Sequence, residues 1–452
     1  MFHIPKISDL RERGLTAPLR RIFALAIPSI ITNITTPLLG LIDLAVVGHM
    51  GGASGSAAYI AAIAVGGSMF NMLYWLFVFL RMGTSGFASQ ALGAGDRHGT
   101  TVILARALTV ALASGAVILL LSRPLGELTM RFMDPDPDTL PLSMRYLMIC
   151  IWGAPAVLGT YALTGWFLGM QDSRSPMWVS LAINLLNIVV SLILVYALGM
   201  KIEGVAIGTL SAQWIGFLTA IVICRIKYRP HIPRVSEVMR WKELRRFFSV
   251  NTDIFLRTLC LVAVTLWFTR AGAAQGDIML AVNSLLMQLF ILFSFFLDGF
   301  AFAGESLCGL YYGMNDPAKL RTVVRLEFLC TGTLALIFSA AYFVAGETFL
   351  SFVSSDAGVI EATAEYLPWA ATVPLAGFVA FTYDAVCIGT TRTRQMLWSG
   401  FIAALCFFAI YFSLFPLLAN HALWCAFIVY LAMRGVTLFF LLRRSGLYNS
   451  HP

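Results

Sequence analysis

Charged side chains are scarce in this 452-residue chain: Asp, Glu, Lys and Arg make up 12% of it, where ordinary soluble domains carry about a quarter. So few charges cannot cover the surface of a soluble fold, and disorder, collagen or coiled coil would each need another composition. Paired cysteines are absent too. Cys150, Cys224, Cys260, Cys308, Cys330, Cys387, Cys406 and Cys425 all fall in apolar runs or at their ends, without a CxxC spacing. They read as small buried hydrophobes, not as a disulfide framework. An HExxH pair, a GxSxG elbow and a Walker loop are missing, and none of the six histidines lies mid-span. Without an ATP site any transport must be secondary. Gly93-Ala94-Gly95-Asp96 and Tyr383-Asp384 match the two signatures of intramembrane aspartyl proteases, but in reversed order and with Asp96 in a turn, so coincidence is the better account. The alternation of Asp134, Asp136 and Asp138 with prolines makes a stiff solvated turn rather than a Ca²⁺ loop. No catalytic set, metal site or cofactor is expected, and the chain is not read as an enzyme.

What fills the sequence is apolar: 59% of residues, with a mean hydropathy of +0.82. A bilayer core takes a helix of about 20 apolar residues. Twelve runs meet that length: 22–47, 57–80, 102–121, 142–168, 177–198, 203–223, 247–269, 278–303, 323–344, 364–390, 396–416 and 421–441. Barrel strands are about half as long and alternate, so an all-α polytopic membrane protein is expected. The polar, basic stretch over 1–21 does not suggest a cleavable signal.

An even number of spans puts both termini on one side. Of the 31 Lys and Arg, 22 fall on that side and five (Arg123, Arg131, Arg145, Lys201 and Arg270) on the other. The positive-inside rule then places both termini in the cytoplasm of a plasma membrane, the bacterial inner membrane. It also explains the net charge of +8 without nucleic acid. The longest cytoplasmic loop, 228–246, is basic, carries Pro230 and Pro233, and sits mid-chain. It predicts a six-helix bundle over 1–227, a linker over 228–246 and a second bundle over 247–452. The halves resemble each other: 87–92 matches 302–307, and Gly169 to Trp178 matches Gly389 to Trp398, at nearly the same offset. Six helices per half insert in the same direction, giving pseudo-symmetric parallel repeats of a transporter type.

A charge deep in a span is costly and asks for a reason. Asp43 lies within span 1 with no Lys or Arg within a turn; a carboxyl that gains and loses a proton there is a proton carrier, and a structural hydrogen-bonded acid is the plainer alternative. Asp298 and Asp384 lie in spans 8 and 10 and Glu305 near the end of span 8; they offer either a coupling or substrate cluster or a packing network. Asp253 and Arg257, at i and i+4, read as a local ion pair. The phenylalanines of span 8, from Phe290 to Phe302, read as packing before cavity lining.

These residues resemble the multidrug and toxic compound extrusion (MATE) family, in its DinF-type branch. The resemblance is carried by Pro37 to Asp43 and Val47-Gly48-His49, Asn184 to Val189, Gly204 to Thr209, Leu297 to Ala303, and Asp384 to Arg392. It implies two six-helix bundles and cation-driven efflux of organic compounds by a monomer in the lipid bilayer. It places the family's coupling residues on Asp43, Asn187 and Thr209 and its bending proline on Pro28. Many members carry a second carboxylate four residues after the asparagine; here that position is Ser191, which favours protons over Na⁺. A Na⁺-coupled antiporter and a lipid-precursor flippase of the same superfamily are the competing readings. Flippases need a strongly cationic cavity, and here only Arg81, Arg106, Arg257 and Arg434 lie in or near spans.

Overall fold

The computed structural model describes residues 16–48, 52–133, 136–353 and 357–446, with the side chains of 16, 36–48, 52–58, 69, 132, 352, 353 and 357 outside that description. Among the described residues eleven helices are long and apolar enough to cross a membrane: α2 (Tyr59–Gly93), α3 (Arg97–Leu120), α4 (Leu140–Gly169), α5 (Arg174–Ala197), α6 (Ile202–Tyr228), α7 (Trp241–Ala273), α8 (Asp277–Gly313), α9 (Pro317–Ser351), α10 (Gly358–Gly389), α11 (Thr393–Leu418) and α12 (Asn420–Arg444). The remaining apolar run lies on α1 (Thr16–Gly48). Among the described residues there is no strand. The fold is therefore an all-α polytopic membrane protein. Helices suit this environment because they satisfy their own backbone groups, which lipid cannot. Large apolar side chains such as Leu120, Val344 and Leu417 point outward at 82%, 88% and 81% exposure, as lipid-facing positions should. All eight cysteines are free and buried or half-buried.

Contacts divide the chain into two compact units. One comprises Ile31–Ala91 and Asp96–Arg246. The other comprises α1 up to Ile30, Leu92–Gly95 and everything from Phe247 onward. The chain thus passes from one unit to the other within α1, just after the buried Pro28. Proline has no amide hydrogen for the helical ladder, yet α1 stays helical on both sides of it. The 228–246 segment folds onto the first unit. Arg106 of α3 donates from Nε to the Val238 carbonyl at 3.0 Å and from Nη2 to the Glu237 carbonyl at 3.3 Å.

The two halves of the chain share a local pattern, and one register relates the turns and glycine crossings after α2 and α4 to those after α8 and α10. Gly95 and Asn315 hold positive φ after α2 and α8, and Gln171 and Thr391 do so after α4 and α10. Asp96 accepts the Gly99 amide at 2.7 Å, and Asp316 accepts the Lys319 amide at 3.0 Å, each capping the following helix. Asp96 is thus a helix cap, in keeping with the reading of its GxGD as coincidence. Gly169 packs on the backbone of Ser85 and Ser89, and Gly389 on that of Glu305 and Gly309. The expected match of 87–92 with 302–307 is therefore out of register: Phe87 corresponds to Leu307 and not to Phe302. The similar Phe-Ala composition of those segments misled, whereas turn geometry and glycine crossings fix which residues correspond.

Candidate functional site

In the first unit the expected polar residues of α5 and α6 meet. Asn187 is 1% exposed and Ser191 0%. The Ser191 hydroxyl donates to Asn187 Oδ1 at 2.9 Å, and Asn187 Nδ2 donates to Thr209 Oγ1 at 3.4 Å. Gly208 permits this approach: a side-chain carbon there would run into the Ser191 hydroxyl. One turn earlier, Asn184 Nδ2 donates to the Thr35 carbonyl of α1 at 3.1 Å, tying α1 to α5. Directly after Ser191 the helix widens into a π-turn over Ile193–Ala197, a feature that often marks functional positions. Asp43 falls on α1, but its side chain lies outside the described residues. Three of the four expected coupling residues thus form one hydrogen-bonded chain.

The second unit holds more buried charge. Asp384 of α10, 7% exposed, accepts from Arg434 Nη2 of α12 at 2.5 Å and also pairs with Arg257 of α7. The Arg434 guanidinium lies over the rings of Phe381 and Tyr430 at 5.7 and 5.6 Å from their centroids, favourable cation–π positions. Asp298 of α8 adds its field at Arg434. The expected Asp253–Arg257 pair is replaced: Arg257 turns to Asp384, and Asp253 accepts the Thr393 hydroxyl at 2.9 Å. The i, i+4 rule says which residues share a helix face; it does not say what a neighbouring helix brings to that face. In a low dielectric the cross-helix carboxylate wins. Glu305 is 1% exposed. Phe290, Phe293 and Phe296 pack against Phe427 and Phe338, so this part of the α8 phenylalanine set is core.

The sequence reading passed over Glu327. It lies in α9 and is 0% exposed, a burial no other acid among the described residues equals. Its signal was present: an acid within an apolar run, partly disguised by Arg325 just before it at the edge of the expected span. At the loop after α4 a further cluster is structural. Asp172 accepts from Lys227 at 2.8 Å, Tyr228 at 2.8 Å and Ser175 at 2.5 Å. Burial alone would raise its pKa, but these donors and the Lys227 charge overcome that and hold it below the usual carboxylate range. Among the described residues no cluster of His, Cys, Asp and Glu could hold a metal ion.

Comparison with known proteins adds a frame to this geometry. The MatE family model matches residues 28–193 and again 253–413, once in each half. The chain is 36% identical over 432 residues to DNA damage-inducible protein F of Escherichia coli, covering 95% of this chain and 93% of that protein. It is 25% identical over 423 residues to a Bradyrhizobium diazoefficiens protein described as "probable multidrug resistance protein NorM", covering 88% and 86%. A solved multidrug resistance MATE family transporter of the MOP superfamily, in an outward-facing conformation, superposes with a TM-score of 0.83 at 19% identity, covering 95% of this chain and 96% of that one.

Proposed function

The chain belongs to the MatE family of membrane transporters, and from that premise we propose that it exports organic cations or amphiphiles across the bacterial inner membrane in exchange for protons, with Asp43 as proton carrier. The observation that carries the choice of ion is Ser191. A position that many relatives of this type fill with a second carboxylate holds a hydroxyl already committed to Asn187. Such a site presents one carboxyl and several neutral dipoles, a set suited to taking up a proton and poorer than a two-carboxylate cage for stripping water from Na⁺. Protonation of Asp43 neutralises span 1 at that depth. Asn187 and Thr209 then serve one charge state better than the other, and this differential contact is what a conformational switch requires. Pro28, where the α1 backbone ladder is interrupted, gives the helix a place to bend.

The test is efflux from proteoliposomes under an imposed ΔpH compared with an imposed Na⁺ gradient. Wild type is expected to respond to ΔpH. Asp43→Asn is expected to insert and bind substrate yet fail to move it. Wild-type ΔpH-driven efflux by Asp43→Asn would overturn the assignment, and a response to Na⁺ alone would favour the Na⁺-coupled reading.

A further inference from the structure

The second unit contains an acid that the site above does not use. Glu327 lies in the first third of α9, is 0% exposed, and has no hydrogen-bond partner at Oε1 or Oε2 among the described residues. Its carboxyl end lies in a notch on α8 created by Gly304: a side-chain carbon there would sit 3.1 Å from Glu327 Cδ and 3.2 Å from Oε1. One turn along, Thr331 of α9 and Thr382 of α10 share a hydrogen bond of 2.9 Å. The Cys308 thiol of α8 and the Cys330 thiol of α9 lie within the field of Glu327. Glu305 adjoins the notch in sequence. None of the ion pairs formed among the described residues includes Glu327.

The fold does not require this polarity. In the register set by the paired turns, Cys308, Glu327, Thr331 and Thr382 correspond to Ala88, Ala107, Ala111 and Ala162 of the first unit, all 0% exposed. The same crossing of helices is thus built from four alanines in one unit, while in the other it carries a carboxyl and two hydroxyls. An ionised carboxylate with neither donor nor counter-ion costs several kcal/mol in such a place, so the species that fits the notch is the neutral acid. Packing alone does not call for an acid at this crossing, since alanine fills the matching place in the first unit.

We propose that Glu327 is a proton-binding site of the second unit, occupied in the arrangement seen here and emptied during transport. On release the carboxyl O–H bond breaks, its electron pair stays on the carboxylate, and the proton passes to a water admitted as α8 and α9 separate at Gly304. The Thr331–Thr382 hydroxyls, one turn along α9, are polar groups able to receive that water. The role in transport rests on the proton-antiport reading above; the presence of an exchangeable proton does not.

Infrared spectroscopy of the reconstituted full chain tests the site. The wild-type minus Glu327→Gln spectrum at neutral pH should show the C=O stretch of a protonated carboxylic acid, displaced in D₂O, and Glu327→Asp should retain a shifted band. Ionised-carboxylate bands in their place, or no difference, would overturn the proposal. In the same vesicles, ΔpH-driven ethidium transport should fall to the protein-free level in Glu327→Gln, while gradient-free ethidium exchange persists. If Glu327→Gln keeps the wild-type ΔpH-driven rate, the acid is a static packing group and the proposal is wrong. If wild type itself ignores ΔpH, the antiport reading fails, and the infrared comparison still decides whether Glu327 holds an exchangeable proton.

Discussion

Asp384 shows how much a buried charge depends on what faces it. Two guanidiniums from different helices converge on its carboxylate, and both arginines are largely buried. Asp384→Asn leaves Arg257 and Arg434 against a neutral amide in low dielectric. The expected cost is about 3–5 kcal/mol, the usual penalty for removing one partner of a buried pair. It should appear as a lowered Tm of the detergent-solubilised protein, with Asp384→Glu less affected. An unchanged Tm would mean that water or another acid compensates the arginines. Residue by residue, the sequence was legible where a charge interrupts an apolar run: Asp298, Glu305, Asp384, Arg257 and Arg434 all stand out that way. It was not legible for pairing, because Arg257 and Asp384 lie three helices apart in the chain and only the packing of α7 against α10 and α12 brings them together. Glu327 escaped for a related reason. The apolar run starts at Val323, which puts Glu327 close to its edge, whereas α9 begins at Pro317 and sets the acid more than two turns inside the helix.

Helices were the most readable elements, since twelve apolar runs correspond to α1 and the eleven candidate spans. Their ends were less so. α8 runs to Gly313, well beyond the expected end at Ala303, because a helix buried in protein can continue through polar residues that would end a lipid-facing one. The register between repeats also needed geometry, which the paired positive-φ turns and glycine crossings supply. Those crossings carry a stability prediction. A methyl at Gly389 would strike backbone atoms of Glu305 and Gly309, whereas at Gly377, on the same α10, the nearest atom would be Leu431 Cδ1 at 3.7 Å. Gly389→Ala must push α8 and α10 apart and should cost about 1–3 kcal/mol. Gly377→Ala should be neutral or slightly stabilising, since alanine is the better helix former. Thermal unfolding of the two variants side by side checks this, and equal Tm values would contradict the close crossing.

At the scale of the whole molecule the sequence carries information that helix geometry lacks, because nothing in a helical bundle marks which end faces the cytoplasm. The asymmetry of Lys and Arg does mark it. The N-terminal stretch, the segment 225–246 and the turns after α8 and α10 with the helix starts that follow them carry most of the basic residues, and the loops after α3, α5 and α7 with the helix ends beside them hold five of the 31. Positive charge resists translocation, so the basic loops are expected on the cytoplasmic side. We expect both termini there. Ala94, in the turn after α2, and Ala274, in the turn after α7, are both exposed and should lie on opposite faces of the membrane. The native cysteines are buried or half-buried within helices, so in a background where they are replaced each added thiol reports a single loop. Ala274→Cys should react with a membrane-impermeant maleimide in spheroplasts with intact inner membranes. Ala94→Cys should react only after those membranes are permeabilised. The reverse pattern would invert the protein, and the side proposed for proton loading at Asp43 and Glu327 would invert with it. Labelling of both sites in intact spheroplasts would put the two loops on one face, which the odd number of crossings from α3 to α7 does not allow.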